Sequence, residues 1–427
     1  MVKSYRDTIR FQPNGTKYKG RHLEARVLPN WDLVEKFGIY NAFTSKMKST
    51  SDANIKEAIE KMEAAIHLGE SDRSQDWRDL MAQARSGLYE YMKQKGEQVD
   101  LVELVRYITL KTSLNYLFKD AKAAEKNPEH FKDMLYVSSH LNELLVTYER
   151  AADRLPGWSE QEDLHAALRR VTLSIPTYVS ALNSTSTRAK RANSKLPEPM
   201  QKYRNPLNLL MHAYDTIWRV VLRCFLEIRF RNAENGPEWS EMMKHYTNML
   251  WESAMIDVTS DNRFVGPLRK SSTLSLKPHF IINEALRLYP PISRIQRQYD
   301  GELHEVDLEA CHRSSLLGDD DPLVFRPERW RDLSRPRKND YAASSAKREQ
   351  ERLGFMPFAL SCPSNTEKTK EFGTKMIGML VGILCTELGE EWELKDGRDD
   401  LPELGKPLDN DRGAYPTLLL ANQKPCE

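Results

Sequence analysis

The sequence predicts a mainly helical fold with minor β structure, built as one domain over residues 1–427. Three observations predict it. Apolar residues recur every three or four positions in one long window after another. Only two runs, "ISRIQRQY" and "YPTLLLANQ", alternate or cluster as short strands do. No internal repeat interrupts the chain, and one polar, Pro-containing stretch, "NSTSTRAKRANSKLPEPMQKYRNP", reads as a connecting loop.

The elements follow in order. "SDANIKEAIEKMEAAIHLGE" opens on Ser and Asp and places Ile55, Ile59, Met62 and Ile66 at helical spacing before a Gly. "RDLMAQARSGLYEYMKQKG" reads likewise. "DLVELVRYITLKTSLNYLF" is apolar on most faces, which predicts a core helix. "FKDMLYVSSHLNELLVTYERAADRL" and "EQEDLHAALRRVTLSIPTYVSALN" continue the series. After the polar loop, "LNLLMHAYDTIWRVVLRCFLEIRFRN" is the longest apolar-periodic segment and is expected to cross the middle of the molecule. "EWSEMMKHYTNMLWESAMI" and "LKPHFIINEALRLY" add two helices, and Asp300 to Arg352 reads as loop-rich.

Bulk properties exclude several classes. Hydrophobic residues are 40% and charged residues 29%, so the chain is globular rather than disordered. A net charge of +1 supplies no field for nucleic acid, and none is expected as a partner. The N-terminus has no apolar signal region, and the best apolar run, Met376 to Cys385, is about half the roughly 18 residues a membrane span needs. It reads as a buried core helix. Cys224, Cys311, Cys362, Cys385 and Cys426 are odd in number and widely spaced, which fits a reducing compartment and neither a disulfide framework nor a zinc site. No nucleophile-elbow, phosphate-loop or H-E-x-x-H pattern occurs.

Three segments carry chemistry. In "NEALRLYPP", Glu284 and Arg287 share a helix face, apolar neighbours surround them, and Tyr289-Pro290-Pro291 ends the helix. The same E-x-x-R spacing recurs at Glu70/Arg73, Glu103/Arg106, Glu328/Arg331 and Glu349/Arg352, but without that apolar context. A buried carboxylate needs more than one donor to offset its desolvation, and Arg329 in "DPLVFRPERW" can supply a bidentate fork. In "GFMPFALSCPSN", Cys362 lies in a Pro-containing loop ahead of an apolar run, where a helix N-terminus can favour a thiolate. His312 in "ACHRSS" reads as a packing residue.

Taken in this order, E-x-x-R, F-x-P-E-R-W from Phe325 to Trp330, and the cysteine loop resemble the cytochrome P-450 family of haem-thiolate monooxygenases, with the texture of a fungal-type member. "HAYDTIWRVV" is similar to the family's central helix, where an acid precedes a Thr, as Asp215 and Thr216 do here. The resemblance runs from about residue 205 to 388. It implies a single-domain cytochrome P-450-like fold and haem b held by Cys362 as axial ligand of the iron. It makes Glu284, Arg287 and Arg329 a structural triad, and sets Arg297 at a position that pairs with a haem propionate. Asp215 and Thr216 would deliver protons to bound dioxygen. Electrons would come from NADPH through a separate reductase, and the substrate would be a small apolar organic molecule, as in secondary metabolism. The setting expected is cytoplasmic, or peripheral at the endoplasmic reticulum surface, without a transmembrane anchor.

The loop departs from the family pattern P-F-G-x-G-x-[RH]-x-C-x-G. Only Ala359, Leu360 and Ser361 separate Phe358 from Cys362, so the loop is three residues short and lacks both glycines and the basic residue. His212-Ala213-Tyr214 stands before the acid–Thr pair, where the family has Ala-Gly and one more residue. Two other readings therefore stay open: a relative without haem or enzymatic activity that acts by binding, and an isomerase or dehydratase of the same fold that needs no reductase.

Overall fold

The computed structural model describes residues 2–9, 22–41, 43–45, 74–118, 120–173, 205–253, 276–333, 350–358 and 367–423. The helix expected at 51–70, the polar loop up to residue 204, and Cys362 and Cys426 lie outside these residues.

Helix α1 (Ser74–Lys95) stops at Gly96, whose φ of 76° lies in the left-handed region that ends helices. Strand β1 (Gln98–Asp100) follows directly. Asp100 then caps α2 (Leu101–Leu117), its carboxylate accepting from the Val102 and Glu103 N–H groups at 2.8 and 3.0 Å. Most of α2 is buried, as its all-round apolar character predicts. Next come α3 (His130–Ala151) and α4 (Glu162–Thr172), packed together.

The central segment begins as a helical turn at Leu207–Leu210, widens to a π turn over Met211–Asp215, and continues as α5 (Thr216–Arg229). Every residue from Ile217 to Ile228 is buried. Helices α6 (Gly236–Ser253), α7 (Pro278–Leu288) and α8 (Glu367–Glu387) complete the helical body. Helix α5 touches α2, α6, α7 and α8, so it does cross the middle of the molecule. Two glycines let α8 approach α6. A Cβ at Gly382 would fall 1.9 Å from Thr247 Oγ1 and 2.8 Å from the Met243 carbonyl oxygen, and one at Gly378 would fall 2.9 Å from the Tyr246 ring.

Strands β2 (Arg294–Tyr299) and β3 (Glu302–Asp307) form an antiparallel hairpin. Its two-residue turn, Asp300-Gly301, has φ of 48° and 88°, both positive as the tight hairpin turn requires. Strands β4 (Trp392–Asp396) and β5 (Leu419–Asn422) join β1 in a three-stranded antiparallel sheet, ordered β1-β5-β4. Both strand-like runs are strands, but shorter than their apolar runs. The loop reading of 300–352 needs correction: β3 and short helices at Leu308–His312 and Ser315–Gly318 lie there. Of β3 only Val306 is fully buried, so the strand carries no apolar alternation and is held by its pairing with β2.

One apolar core runs from Phe37 to Leu420 through all the long helices, and a smaller cluster of Ile295, Val306, Leu308, Cys311 and Met356 lies under the hairpin. Cys224, Cys311 and Cys385 are free, buried thiols. Met376 to Cys385 is core helix, and no helix among the described residues is long and apolar enough to cross a membrane. The molecule is mainly α with minor β, built as a single-domain helical body around α5.

Candidate active site

Glu284 sits on α7 with no exposed surface, and its carboxylate accepts five N–H groups. Arg287, one turn on, forks across it, with Nη2 donating to Oε1 at 2.8 Å and Nε to Oε2 at 2.9 Å. Arg329 Nε and the Arg326 backbone N–H donate to Oε1, each at 2.9 Å, and Trp330 Nε1 donates to Oε2 at 2.8 Å. Arg329 Nη1 also lies 3.7 Å from the Asp319 carboxylate, and both guanidinium groups reach backbone carbonyls. Arg287 reaches those of His312, Pro322 and Val324, and Arg329 those of Asp321 and Val324. Burial alone would raise the Glu284 pKa. Arg287 and Arg329 outweigh it and hold the carboxyl below its usual range. Glu284, Arg287 and Arg329 thus form one buried cluster that ties α7 to the 319–330 segment.

The same cluster anchors the approach to the cysteine loop. Trp330 packs on Phe355, ring centroids 4.6 Å apart. His312 is buried, and its Nε2 accepts from the Met356 N–H at 2.9 Å. Burial, then Arg287, push the His312 pKa down to about 3, so this imidazole is a neutral packing group. Phe358 rests on the start of α8: a Cβ at Gly373 would lie 3.3 Å from its ring and 3.9 Å from Ile217 Cδ1. Phe358, four residues before Cys362, and Ile217 of α5, one position past Thr216, thus both approach α8 at Gly373.

Along α5 and at both its ends the structure reveals a feature the sequence reading missed. Asp215, Arg219, Arg223, Glu227 and Arg231 recur every four residues and are all buried. The stripe grips the C-terminal segment and the end of α7. Arg412 Nη1 donates to Asp215 Oδ1, and Arg412 Nε to Glu149 on α3 at 2.7 Å. Arg219 reaches the Pro291 carbonyl at 2.7 Å. Arg223 donates to the Asp409 and Asp411 carbonyls at 2.9 and 2.7 Å. Glu227 accepts from the Tyr289 hydroxyl, which in turn accepts from the Leu408 N–H at 3.1 Å. Arg231 closes the ladder on the Glu403 and Lys406 carbonyls at 2.7 and 2.8 Å. The signal was present as D-x3-R-x3-R-x3-E-x3-R within an otherwise apolar helix.

This ladder decides the state of Asp215. Burial would raise its pKa, but Arg412 and Arg219 lower it, so Asp215 is a paired carboxylate. Thr216 Oγ1 donates to the His212 carbonyl at 2.5 Å, which leaves its lone pairs as the open function of that hydroxyl. Arg297 is buried with Ile295 and Tyr299 on the inner face of β2, and its Nη1 donates to the Gln296 carbonyl at 2.8 Å.

Of the residues that the sequence resemblance assigns to a haem, Arg297 is a buried cation on an apolar strand face, a donor chemistry that would suit a carboxylate. Cys362, the residue that would hold the iron, lies outside the described residues. Among the described residues no three His, Cys, Asp or Glu side chains converge as a protein-only metal site would need.

No protein-family model matches the chain, and no curated protein does. Solved structures do. The haem domain of a cytochrome P-450DA mutant is similar over 94% of this chain and 82% of its own length, with a TM-score of 0.52 at 14% identity. Ligand-free cytochrome P-450 OleT is similar over 92% of this chain and 82% of its own length, with a TM-score of 0.50 at 12% identity. The likeness runs over nearly the whole chain, and the mainly helical body with its small antiparallel sheets matches those structures: the chain has the cytochrome P-450 fold.

Proposed function

We propose that the protein is a haem-thiolate monooxygenase that inserts one oxygen atom of dioxygen into a small apolar organic molecule, with electrons from NADPH through a separate reductase. The observation that carries this reading is the packing at Gly373 of α8, whose Cβ position lies 3.3 Å from the Phe358 ring and 3.9 Å from Ile217 Cδ1. Helix α8 is thereby approached both by Phe358, four residues before Cys362, and by Ile217, which follows Asp215 and Thr216, and this supports the reading. Cys362 would hold the haem iron and Arg297 a propionate. When bound, the haem supplies oxygen activation, which no side chain of the chain can supply.

The residues have separable roles. Glu284, Arg287 and Arg329 fix the 319–330 segment and, through Trp330 and Phe355, the start of the loop. The Thr216 hydroxyl donates to its own helix, so its oxygen is the atom that accepts a proton or hydrogen bond there. Asp215 can pass a proton only after Arg412 releases it. We read residues 1–427 as one cytochrome P-450-like domain, acting in the cytoplasm or at the endoplasmic reticulum surface.

The test is the spectrum of haem-loaded, reduced protein under carbon monoxide. A Soret band at the thiolate position that is lost in Cys362→Ala supports the reading, and its absence from the loaded wild-type protein overturns it. The Asp215–Arg412 pair also favours a second reading, a rearrangement or dehydration that needs no proton from Asp215 and no reductase. Turnover that ignores NADPH would select it. Haem that fails to bind at all would favour the relative that acts by binding alone.

A further inference from the structure

We propose that His212 presents its Nδ1–H as a hydrogen-bond donor to the substrate, and that the substrate therefore carries an acceptor oxygen, a carbonyl rather than a bare hydrocarbon frame. This rests on the reading of the central-helix site given above and names the substrate class for it.

The tautomer follows from the neighbours. The Phe43 backbone N–H donates to Asn41 Oδ1 at 2.9 Å, which fixes the orientation of that amide. Asn41 Nδ2 then faces two groups, the Asn208 carbonyl at 3.3 Å and His212 Nε2 at 3.2 Å. An amide NH2 only donates, so Nε2 must accept and the ring proton sits on Nδ1. Asn208 is itself fixed by the Tyr40 N–H, which donates to its Oδ1 at 2.7 Å. The Phe43 ring lies 4.6 Å from the imidazole and sets its plane. Burial pushes the His212 pKa down to about 4, which keeps the ring neutral and the tautomer single.

The Nδ1–H is then left over. Among the described residues nothing accepts from it, although the ring is only half-buried. Asp215, three residues on, is the nearest carboxylate in sequence and is taken by Arg412. His312 is neutral in the same way, its Nε2 accepting from a backbone N–H, but it is fully buried, whereas His212 keeps part of its surface exposed. His212 also lies within the π turn, 211–215, next to the acid–Thr pair. Such turns insert an extra residue into a helix, often at functional sites. An oriented donor there, with its other nitrogen tied to a rigid amide, is the arrangement that holds a ligand oxygen in one place.

The experiment uses the full chain labelled with 15N-histidine and two matched probes, 2-decalone and decalin. Long-range proton–nitrogen spectra should show His212 with Nε2 unprotonated and Nδ1 protonated. Adding 2-decalone should move the Nδ1 signal, and decalin should leave it in place. By calorimetry the ketone should bind roughly three- to tenfold more tightly than the hydrocarbon, the range of one net hydrogen bond. His212→Phe keeps the ring stack on Phe43 and should abolish that preference at unchanged circular dichroism. His212→Gln, which restores a donor, should recover part of it. An Nε2–H tautomer, equal binding of both probes, or binding of neither overturns the proposal. None of these readouts needs haem. A missing thiolate spectrum alongside a ketone preference would therefore overturn only the monooxygenase reading, and a thiolate spectrum without the preference only this one.

Discussion

Two buried carboxylates on neighbouring helices have opposite fates. Glu284 on α7 accepts five N–H groups, two arginines among them, and is held ionised. Glu227 on α5 has the Tyr289 hydroxyl and one cation, Arg231 Nη1 at 3.3 Å. Burial there wins over Arg231 and raises the Glu227 pKa to about 7. Both side chains are nearly or wholly inaccessible, so depth does not separate them. The number and charge of the donors does. Glu284 is a permanent charge that organises a frame, and Glu227 is a titratable joint between α5, the end of α7 and the Leu408 backbone.

Removing one arginine from each should break the symmetry of the pair most visibly. Arg329→Ala leaves an ionised carboxylate and a desolvated Arg287 behind, and should cost about 3–5 kcal/mol in urea unfolding. A loss below about 1 kcal/mol would mean that the five-donor cluster is not what holds α7 to the 319–330 segment. Arg231→Met removes the cation paired with Glu227, yet that carboxyl can escape its penalty by taking a proton. The expected cost is about 1–3 kcal/mol, from the lost bonds to the Glu403 and Lys406 carbonyls. If Arg231→Met proved the more damaging of the two, the distinction between a fixed and a titratable carboxylate would fail.

The same contrast explains what could be read from the sequence. Glu284 and Arg287 stood out because E-x-x-R lay in an apolar helix stopped by Tyr289-Pro290-Pro291, and Arg329 because F-x-P-E-R-W followed. The helices were legible from their apolar period, and α5 from its length. The ladder from Asp215 to Arg231 was written in the sequence as a four-residue charge repeat. Its partners, however, are mostly backbone carbonyls of residues 403–411, and a carbonyl leaves no mark on a sequence. Arg412 lies 197 positions from Asp215, so no spacing rule could join them. Strand β3 was hidden because a hairpin turn and its partner strand, not its own apolar pattern, hold it in place. At the candidate site, Asp215 and Thr216 were legible as positions, whereas the pairing that ionises Asp215 was not.

The pH dependence of stability should separate the carboxylates without disturbing either cluster. A Glu227 pKa raised to about 7 means that the folded state binds more protons than the unfolded state above the ordinary glutamate value. Its contribution to stability is therefore complete in acid and is lost as pH rises through about 7. The slope is at most about 1.4 kcal/mol per pH unit, one proton's worth. Glu284, with its pKa lowered, works in the opposite sense: its contribution is present at neutral pH and lost as pH falls below the ordinary glutamate value. Urea unfolding of Glu227→Gln at pH 5.5, 7 and 8.5 should show the neutral-range slope flattened, with the acid limb kept. A wild-type curve that is flat from pH 6 to 8, or a Glu227→Gln curve that keeps the slope, would place the titrating group elsewhere.

The smallest expected change is the most specific. Tyr289→Phe removes one hydroxyl that donates to Glu227 and accepts from the Leu408 N–H. The cost should be about 1–2 kcal/mol, two ordinary net hydrogen bonds, because the ring stays in the core and Glu227 can protonate. The direction of the pH effect carries the information. The Tyr289 hydroxyl stabilises the charged form of Glu227, so its loss leaves burial less opposed and the pKa must rise further. The inflection in the stability curve should therefore move to higher pH in Tyr289→Phe, and should vanish in the double variant with Glu227→Gln. An inflection that moved to lower pH would show that the hydroxyl favours the protonated acid. Glu227 would then owe its raised pKa to the Tyr289 contact as well as to burial, and the number and charge of donors would no longer be what separates it from Glu284.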